Sequence, residues 1–144
     1  MPYKNIEING PRPVAEQAKQ QNHFYKGFSS IGNNSGSRLY DFDLVKQDIL
    51  NNFNTRKGER LMNPRFGSII WDLLMEPLTD DVQKLLRDDI TEICNSDPRV
   101  TPTQINLTEY PDGYLLELTL LLNGTDQSSN MTLAFDQKLG LRVQ

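Results

Sequence analysis

Carboxylates are the residues of this sequence that come nearest to a catalytic arrangement. Asp72 and Glu76 stand four residues apart in an apolar stretch, and Glu59 lies in a separate basic stretch. A glycosidase needs two carboxyl groups about 5–10 Å apart, one of which an apolar environment keeps protonated. The carboxylate of Glu59 instead lies between Lys57 and Arg60, whose positive charges favour its ionised form. A general acid has to keep its proton. The four-residue spacing gives closeness without a sugar-binding cleft, so we expect no catalytic residue and no hydrolase.

Other catalytic and cofactor chemistries have even less support. His23 is the one histidine and Cys94 the one cysteine, so together they cannot build a zinc site. His23 also lies in a polar N-terminal stretch, which excludes a catalytic triad inside a folded domain. Cys94 falls on an apolar helical stripe and is predicted to be a small core residue. Gly58 and Gly67 are isolated, so there is no phosphate loop, and we expect neither metal nor cofactor.

The best candidate for a binding site is a short basic stretch. Its members are Arg56, Lys57, Arg60 and Arg65, with Glu59 among them. Turn residues at 58 and 63–67 predict that these charges lie on a loop. The set is either a solvated surface that balances an acidic body or a patch for salt bridges to another subunit.

Charge and composition divide the chain into two parts. Residues 1–38 carry five cations and two acids, whereas residues 39–144 carry ten cations and seventeen acids. The acidic part argues against nucleic-acid binding, which needs clustered Lys and Arg. No apolar run is long enough for membrane insertion, and the N-terminus lacks a signal-peptide core, so we expect a cytoplasmic protein.

The first 38 residues are rich in Asn, Gln, Gly, Ser and Pro and predict a flexible polar arm. The exception is an aromatic cluster of Phe24, Tyr25 and Phe28. These rings either anchor the arm on a partner or pack on the surface of the chain's own domain. We therefore predict an arm over 1–38 and one domain over 39–144.

Two amphipathic helices are predicted in the domain. The first begins near Asp41, with Asp41 or Asp43 as the cap, and the second is capped by Thr79. The apolar positions of the first helix are Phe42, Val45, Ile49 and Phe53. Those of the second are Val82, Leu85, Leu86, Ile90, Ile93 and Cys94.

Everything after Pro98 has the alternation typical of strands. Asp112-Gly113 and Asn123-Gly124 are turn signals between successive strands. The last apolar residues, Leu139, Leu141 and Val143, alternate around Gly140 and predict a short terminal strand at the edge of the sheet. Its unpaired backbone groups would be open to another chain.

Several motifs follow one another in order: 55–60 (TRKGER), 63–67 (NPRFG), an apolar segment ending at Pro77, the second helix, and 97–99 (DPR). In this series the segment 43–99 resembles the small baseplate wedge family of contractile phage tails, to which a wedge subunit of type VI secretion machines is related. The family usually has Glu where this chain has Asp97. Residues 1–38 lie outside the resemblance. Arg99 is expected to brace Asp97 or a helix end, or to contact a partner.

The resemblance implies a two-layer α+β fold like the core of the tail sheath protein, with two main helices on a small, mainly antiparallel C-terminal sheet. It implies a virion protein that contacts other baseplate wedge proteins and anchors the first ring of tail sheath protein by strand augmentation, with tail tube or hub proteins as further partners. It also favours the inter-subunit reading of the basic stretch. The family carries a lysozyme label that the residues do not support. The alternatives are a regulatory binding module on the same fold, similar to bacterial anti-adaptor proteins, and, less favoured, a peptidoglycan hydrolase.

Overall fold

The computed structural model describes residues 25–29 and 38–144 of the chain. Over these residues the secondary-structure elements follow one another as β1 (Lys26–Phe28), β2 (Arg38–Tyr40), α1 (Asp41–Asn54), α2 (Ile70–Leu73), α3 (Asp80–Asn95), β3 (Val100–Tyr110), β4 (Gly113–Leu122), β5 (Gln127–Asp136) and β6 (Gly140–Val143). None of the helices described is long and apolar enough to cross a membrane.

The C-terminal half is a four-stranded antiparallel sheet in the order β3-β4-β5-β6. Each strand pairs with the next one in sequence because short turns connect them. Gly113 begins β4 where a Cβ atom would lie 1.8 Å from the carbonyl oxygen of Phe135, so only glycine fits. Gly124 has a φ of +95° in the β4–β5 turn, as the Asn-Gly signal predicts.

The helices α1 and α3 pack on one face of this sheet and bury a common core. Phe53 of α1 meets Phe135 of β5 edge to face, with ring centroids 5.9 Å apart. Trp71 meets the same Phe135 ring at 5.5 Å and donates its indole N–H to the carbonyl of Phe53, 2.7 Å away. The rings therefore join α1, α2 and the sheet, and the predicted two-layer α+β fold is confirmed.

The apolar stripes of both helices are largely as predicted. Val45, Ile49 and Phe53 are buried on α1. On α3, however, Leu85 is 51% exposed, and the polar residue that faces inward is Asp89, which is 5% exposed. Adding Asp89 to the stripe gives the spacing 86, 89, 90, 93, which is a regular helical face with one acid in it.

The prediction that Asp41 or Asp43 caps the first helix is wrong. The N-cap of α1 is Tyr40, which makes no side-chain cap bond, and Asp41 and Asp43 lie in the first turn. Asp41 has a φ of +45°, and its carboxylate accepts a hydrogen bond from the backbone N–H of Tyr25 at 3.0 Å. It therefore ties the preceding strand pair to α1. The predicted Thr79 cap of α3 is confirmed, since its hydroxyl accepts from Val82 N–H.

Part of the expected arm belongs to the fold. Residues 26–28 form β1, which pairs antiparallel with β2 just before α1. Tyr25 packs against the core and lies 5.7 Å from the guanidinium of Arg99. Composition does not indicate β1, because three residues carry no periodic signal and form a strand only by pairing with β2. The division of the chain at residue 38 stays a prediction.

Candidate partner-binding site

The basic residues lie on the loop that connects α1 to α2, residues 55–69, hereafter the 55–69 loop. Its ends are joined by backbone hydrogen bonds between Thr55 and Ser68 (2.9 Å) and between Lys57 and Ser68 (3.2 Å). Gly67 has a φ of +110°, and a Cβ there would lie 2.7 Å from the backbone of Arg56. The side chain of Asn52 in α1 accepts the Gly67 N–H at 2.9 Å. The glycine thus lets the loop close on itself and on α1.

Lys57 is the part of the basic stretch that turns inward. Its ammonium group donates to Asp89 at 2.9 Å and to Glu92 at 3.2 Å, both on α3. The other oxygen of Asp89 accepts from the Ser68 hydroxyl at 2.9 Å and from Ile69 N–H at 3.1 Å. The hydrogen bond to Asp89 raises the pKa of Lys57 despite the opposing effect of burial. This lysine therefore holds the loop on α3.

Arg99 makes a second brace, just after the C-terminal end of α3. Its guanidinium donates to Asp97 at 2.8 and 2.6 Å and to Asp48 of α1 at 2.6 Å. Partial burial opposes ionisation of Asp97, but the hydrogen bonds and charge of Arg99 outweigh it, so the pKa of Asp97 lies below its ordinary value. The bond with Asp97 raises the pKa of Arg99 against the effect of its own burial. Arg99 therefore braces Asp97, one of the roles expected for it.

The remaining cations stay at the surface. The guanidinium of Arg60 lies over the Phe66 ring, 3.8 Å from its centroid. Glu59 accepts the backbone N–H of Arg56 at 3.1 Å, which closes the turn. The side chains of Arg56 and Arg65 form no salt bridge within the described part of the chain and are exposed. Between Arg56 and Arg65, the tip of the loop presents the exposed apolar residues Leu61 and Met62, which the sequence had not marked as a site.

A groove runs between the two braces. One part has a volume of about 400 Å³ and the other about 240 Å³. Both parts are lined by Asn52, Phe66, Ile93 and Ser96. Arg99 borders the first part and Arg65 the second. The fold thus brings the segments 63–67 and 97–99, which are distant in sequence, to one groove.

The aromatic residues of the arm separate in the structure. Tyr25 is half-buried on the core, whereas Phe28 is 70% exposed. Phe24 lies outside the described residues. Of the two alternatives for these rings, Tyr25 packs on the chain's own domain. The exposed ring of Phe28 is accessible to a partner.

The predicted terminal strand is present at the edge of the sheet. It contains Leu141, which is half-buried, and Val143, which is 58% exposed. Leu139 is 65% exposed and lies in the turn before the strand instead of in it. The carboxylate of Asp136 shapes that turn by accepting from the backbone N–H groups of Lys138 (2.7 Å) and Leu139 (3.1 Å). Its hydrogen bond from Lys138 is the main reason that the pKa of Asp136 is lowered.

The three carboxylates considered for hydrolysis do not form a buried pair. Glu59, Asp72 and Glu76 are all exposed. The helix α2 ends at Leu73, so Asp72 and Glu76 do not share a continuous helix. Searching the described residues finds no group of His, Cys, Asp and Glu that could hold a metal ion. Burial raises the pKa of the Cys94 thiol to about 12, which fits its predicted core position.

The braced α+β domain thus combines exposed cations, exposed apolar side chains and an open sheet edge, which are features typical of surfaces that bind other proteins. A family model described as "Baseplate wedge protein gp25" matches residues 41–131. The chain therefore belongs to the baseplate wedge protein gp25 family, and it is a structural component of a phage-tail baseplate. As such it contacts other baseplate proteins in the virion.

Two individual proteins are similar to this chain. Baseplate wedge protein gp25 of Enterobacteria phage T4 is 28% identical over 102 residues, covering 69% of this chain and 76% of the phage protein. The crystal structure of a protein from Geobacter sulfurreducens, described as a candidate tail lysozyme, is similar with a TM-score of 0.53 and 20% identity. That similarity covers 64% of this chain and 90% of the other one and concerns the fold alone.

Sequence reasoning missed Asp89, Asp48 and Asn52, which hold the site in place. For Asp89 a signal exists, because an acid at an inward position of an amphipathic stripe has to be paired if it is buried. Asp48 and Asn52 are polar positions about one turn apart on α1. They carry no comparable signal, since the residues that they contact, Arg99 and Gly67, are distant in sequence.

Proposed function

We propose that this wedge subunit anchors the first ring of tail sheath protein by accepting a strand at the β5–β6 edge of its sheet. The supporting observation is that β6 has only four residues and covers only Leu133 to Asp136 of the ten-residue β5. From Gln127 to Met131, the side of β5 that faces away from β4 has no strand partner within the described structure. Strand addition needs such a row of free backbone groups.

The register of β6 indicates which backbone groups point outward. Gln144 N–H donates to the carbonyl of Thr132 at 2.9 Å, so the pair 144–132 is hydrogen-bonded. Antiparallel strands alternate hydrogen-bonded and non-hydrogen-bonded pairs. Leu141 lies opposite Phe135 and Val143 opposite Leu133, which are non-hydrogen-bonded positions. The N–H and C=O groups of Leu141 and Val143 therefore face the open edge.

The opposite edge of the sheet is less suited to pairing. It is formed by β3, which contains Pro102 and an irregularity in its register between Pro102 and Gln104. Proline lacks an N–H donor, and a bulge turns the edge away from a flat partner strand. The two edges thus differ, and β5–β6 is the one that supports the proposal.

The variant Leu141→Pro tests this proposal. It removes one outward N–H donor, while the inward bonds of β6 to β5 come from residues 140, 142 and 144. Leu141→Ala is the matched control, because it removes the side chain and keeps the donor. Baseplates assembled with each variant are incubated with sheath protein, and sheath length is measured by electron microscopy. We expect Leu141→Pro to block sheath growth and Leu141→Ala to permit it.

Normal sheath growth on Leu141→Pro baseplates would rule out this edge as the docking strand. Equal failure of both variants would assign the effect to the Leu141 side chain and contradict the backbone mechanism. Baseplates are checked for incorporation of the subunit before sheath is added, so that a defect in wedge assembly is not mistaken for one in sheath docking.

The exposed cations of the 55–69 loop form the second part of the proposal, as contacts to other wedge subunits. Arg56 and Arg65 have the exposure that such contacts need. Lys57 and Arg99, whose charges are paired within the chain, act as braces for the loop and the groove. Tail tube or hub proteins are further partners under the same proposal, through the exposed Phe28 and the arm over residues 1–38.

The subunit acts, on this proposal, without hydrolysing peptidoglycan. The exposure of Glu59, Asp72 and Glu76 supports it, since a general acid needs an apolar surrounding. Glu76 does share a cavity with Glu109, so both are included in the test. Purified protein and a variant with Glu59→Gln, Asp72→Asn, Glu76→Gln and Glu109→Gln are assayed for release of peptidoglycan fragments. Turnover by the wild type that the folded variant lacks would refute the structural role as the whole function.

A further inference from the structure

The tip of the 55–69 loop carries the two most exposed large apolar side chains of the described residues. Leu61 is 95% exposed and Met62 98%. Backbone hydrogen bonds hold the tip, from Asn63 N–H to the Arg60 carbonyl at 3.2 Å and from Gly58 N–H to the Pro64 carbonyl at 3.0 Å. An ordered loop that holds two adjacent apolar side chains in water is a preorganised anchor, because little conformational entropy remains to be lost on binding.

The charges around this tip specify what it fits. Arg56, Arg60 and Arg65 are exposed on the same loop as Leu61 and Met62, while the Glu59 carboxylate is held by a backbone N–H. Burial of the tip without repulsion requires an apolar cavity with an acidic rim. A basic or neutral rim would leave guanidinium groups desolvated and unpaired.

A cavity lined by both apolar and acidic side chains lies elsewhere on the same molecule, between the α2–α3 connection and the β3–β4 turn. Its volume is about 370 Å³, and its lining includes Leu74, Met75, Pro77, Glu76, Glu109 and Asp112. Met75 is 72% exposed. Burial raises the pKa of Tyr114 in this lining, and the charges of Glu109 and Glu76 raise it further, as a negative local potential does. The lining of the cavity thus combines apolar side chains with carboxylates.

The two surfaces lie at opposite ends of α3. Lys57 ties the loop to Glu92 near the C-terminal end of this helix. At its N-terminal end, Leu78 N–H donates to Glu109 beside the cavity at 3.2 Å. A helix of 16 residues is about 24 Å long. The loop therefore cannot reach the cavity of its own molecule, whereas a neighbouring copy can present one.

We propose that Leu61 and Met62 of one copy insert into this cavity on the next copy of the chain, with Arg56 and Arg65 facing its acidic residues. The contact is head to tail, so it leaves a free loop at one end and a free cavity at the other, and it generates a ring where the rotation closes. The inference rests on the proposed role of the basic loop as an inter-subunit contact and names a second copy as its partner.

Sedimentation velocity of the full-length chain over a range of concentrations tests the contact. The loop variant combines Leu61→Ser with Met62→Ser, and the cavity variant combines Glu76→Lys with Asp112→Lys. All four side chains are exposed, so the fold is expected to survive, which circular dichroism checks. We expect the wild type to self-associate and each variant to weaken association about tenfold or more. Leu85→Ser, an exposed leucine elsewhere, is the matched control and should associate like the wild type.

Mixing the two variants gives a sharper test. Only one intact contact exists in the mixture, the loop of the cavity variant in the cavity of the loop variant, so 1:1 dimers and nothing larger should form. A Met62→Cys chain mixed with an Asp112→Cys chain should likewise form a disulfide between the two chains under oxidation. Buried Cys94 does not compete, because its pKa is raised to about 12.

A wild type that stays monomeric and gives no such cross-link would overturn the inference, as would a variant mixture that fails to dimerise. Incorporation into baseplates separates this failure from that of the proposed function. If the loop variant is excluded from baseplates while the purified wild type neither associates nor cross-links, the loop binds a different baseplate protein. The copy-to-copy contact is then refuted, and the wedge role stands.

Discussion

The buried carboxylate of Asp89 is expected to be the residue on which the 55–69 loop depends most. It is 5% exposed and accepts hydrogen bonds from Lys57, from the Ser68 hydroxyl and from Ile69 N–H. Asp89→Ala leaves the fully buried Ser68 hydroxyl and the Ile69 N–H without this acceptor. Each unpaired buried donor costs about 1–3 kcal/mol.

The ion pair adds less than the two buried donors. The Lys57 side chain is 29% exposed and retains Glu92, so screening by solvent limits its contribution to about 1 kcal/mol or less. We therefore expect Asp89→Ala to lower the free energy of unfolding by about 3 kcal/mol. Asp89→Asn preserves one acceptor oxygen for Ser68 and Ile69 and should cost about half as much. Lys57→Met should cost about 1 kcal/mol.

Urea denaturation followed by far-UV circular dichroism measures these differences, and an unchanged m-value confirms that the folded state keeps its compactness. The pH dependence gives an independent check. The pKa of Lys57 is raised above 10.5 in the folded state, so its stabilisation is complete below 10.5 and is lost as the pH rises through the folded value. Lys57→Met should remove that alkaline dependence. A loss below about 1 kcal/mol for Asp89→Ala would refute the reasoning, since it would mean that water replaces the carboxylate at Ser68 and Ile69.

Three further predictions concern the fold around the site. Gly67→Ala should lower the free energy of unfolding, measured by urea denaturation, by about 2–4 kcal/mol, because φ is +110° there and the new Cβ would lie 2.7 Å from backbone atoms. The control Gly58→Ala, where a Cβ meets open space, should cost about 1 kcal/mol. The pKa of Asp97 is lowered, so its stabilisation is present above 3.8 and lost as the pH falls through the folded value, and Asp97→Asn should flatten the acid limb of the stability curve. A flat limb already in the wild type would contradict that. Cys94 should resist thiol reagents at neutral pH until urea unfolds the chain, and rapid labelling of the folded protein would show that the pocket around it opens.

Periodicity was sufficient to predict the helices and the C-terminal strands. Val45, Ile49 and Phe53 repeat at helical spacing and are buried, and the alternation of Met131, Leu133 and Phe135 places all three in the core. These patterns show which face of an element meets the core, because burial of apolar surface is the dominant favourable contribution to folding. Short elements were predicted less well, since β1 and α2 depend on their tertiary partners and have no period of their own.

The candidate site was only partly predictable, because a cation's sequence neighbours do not identify its partner. Lys57 and Arg65 are both loop cations, yet Lys57 meets Asp89, which is 32 residues away, and Arg65 stays exposed. For Arg99 the sequence offered Asp97, a helix end or a partner protein, and it included Asp97 because the two residues are nearly adjacent. The second residue that Arg99 contacts, Asp48, could not be seen. Local pairs are visible in a sequence, and pairs that join distant segments need the fold.

The structure divides the basic residues into two groups that substitutions should separate. Lys57 and Arg99 lie between α1, α3 and the loop, and their charges are neutralised by carboxylates of the same chain. Arg56 and Arg65 have no such carboxylate among the described residues, and solvating them costs the isolated fold nothing. Neutralising a brace should therefore lower stability and reduce assembly only as far as the loop loosens. Neutralising Arg56 or Arg65 should leave stability within about 0.5 kcal/mol and act on assembly alone, because a surface charge gains its energy when a partner's charge replaces water.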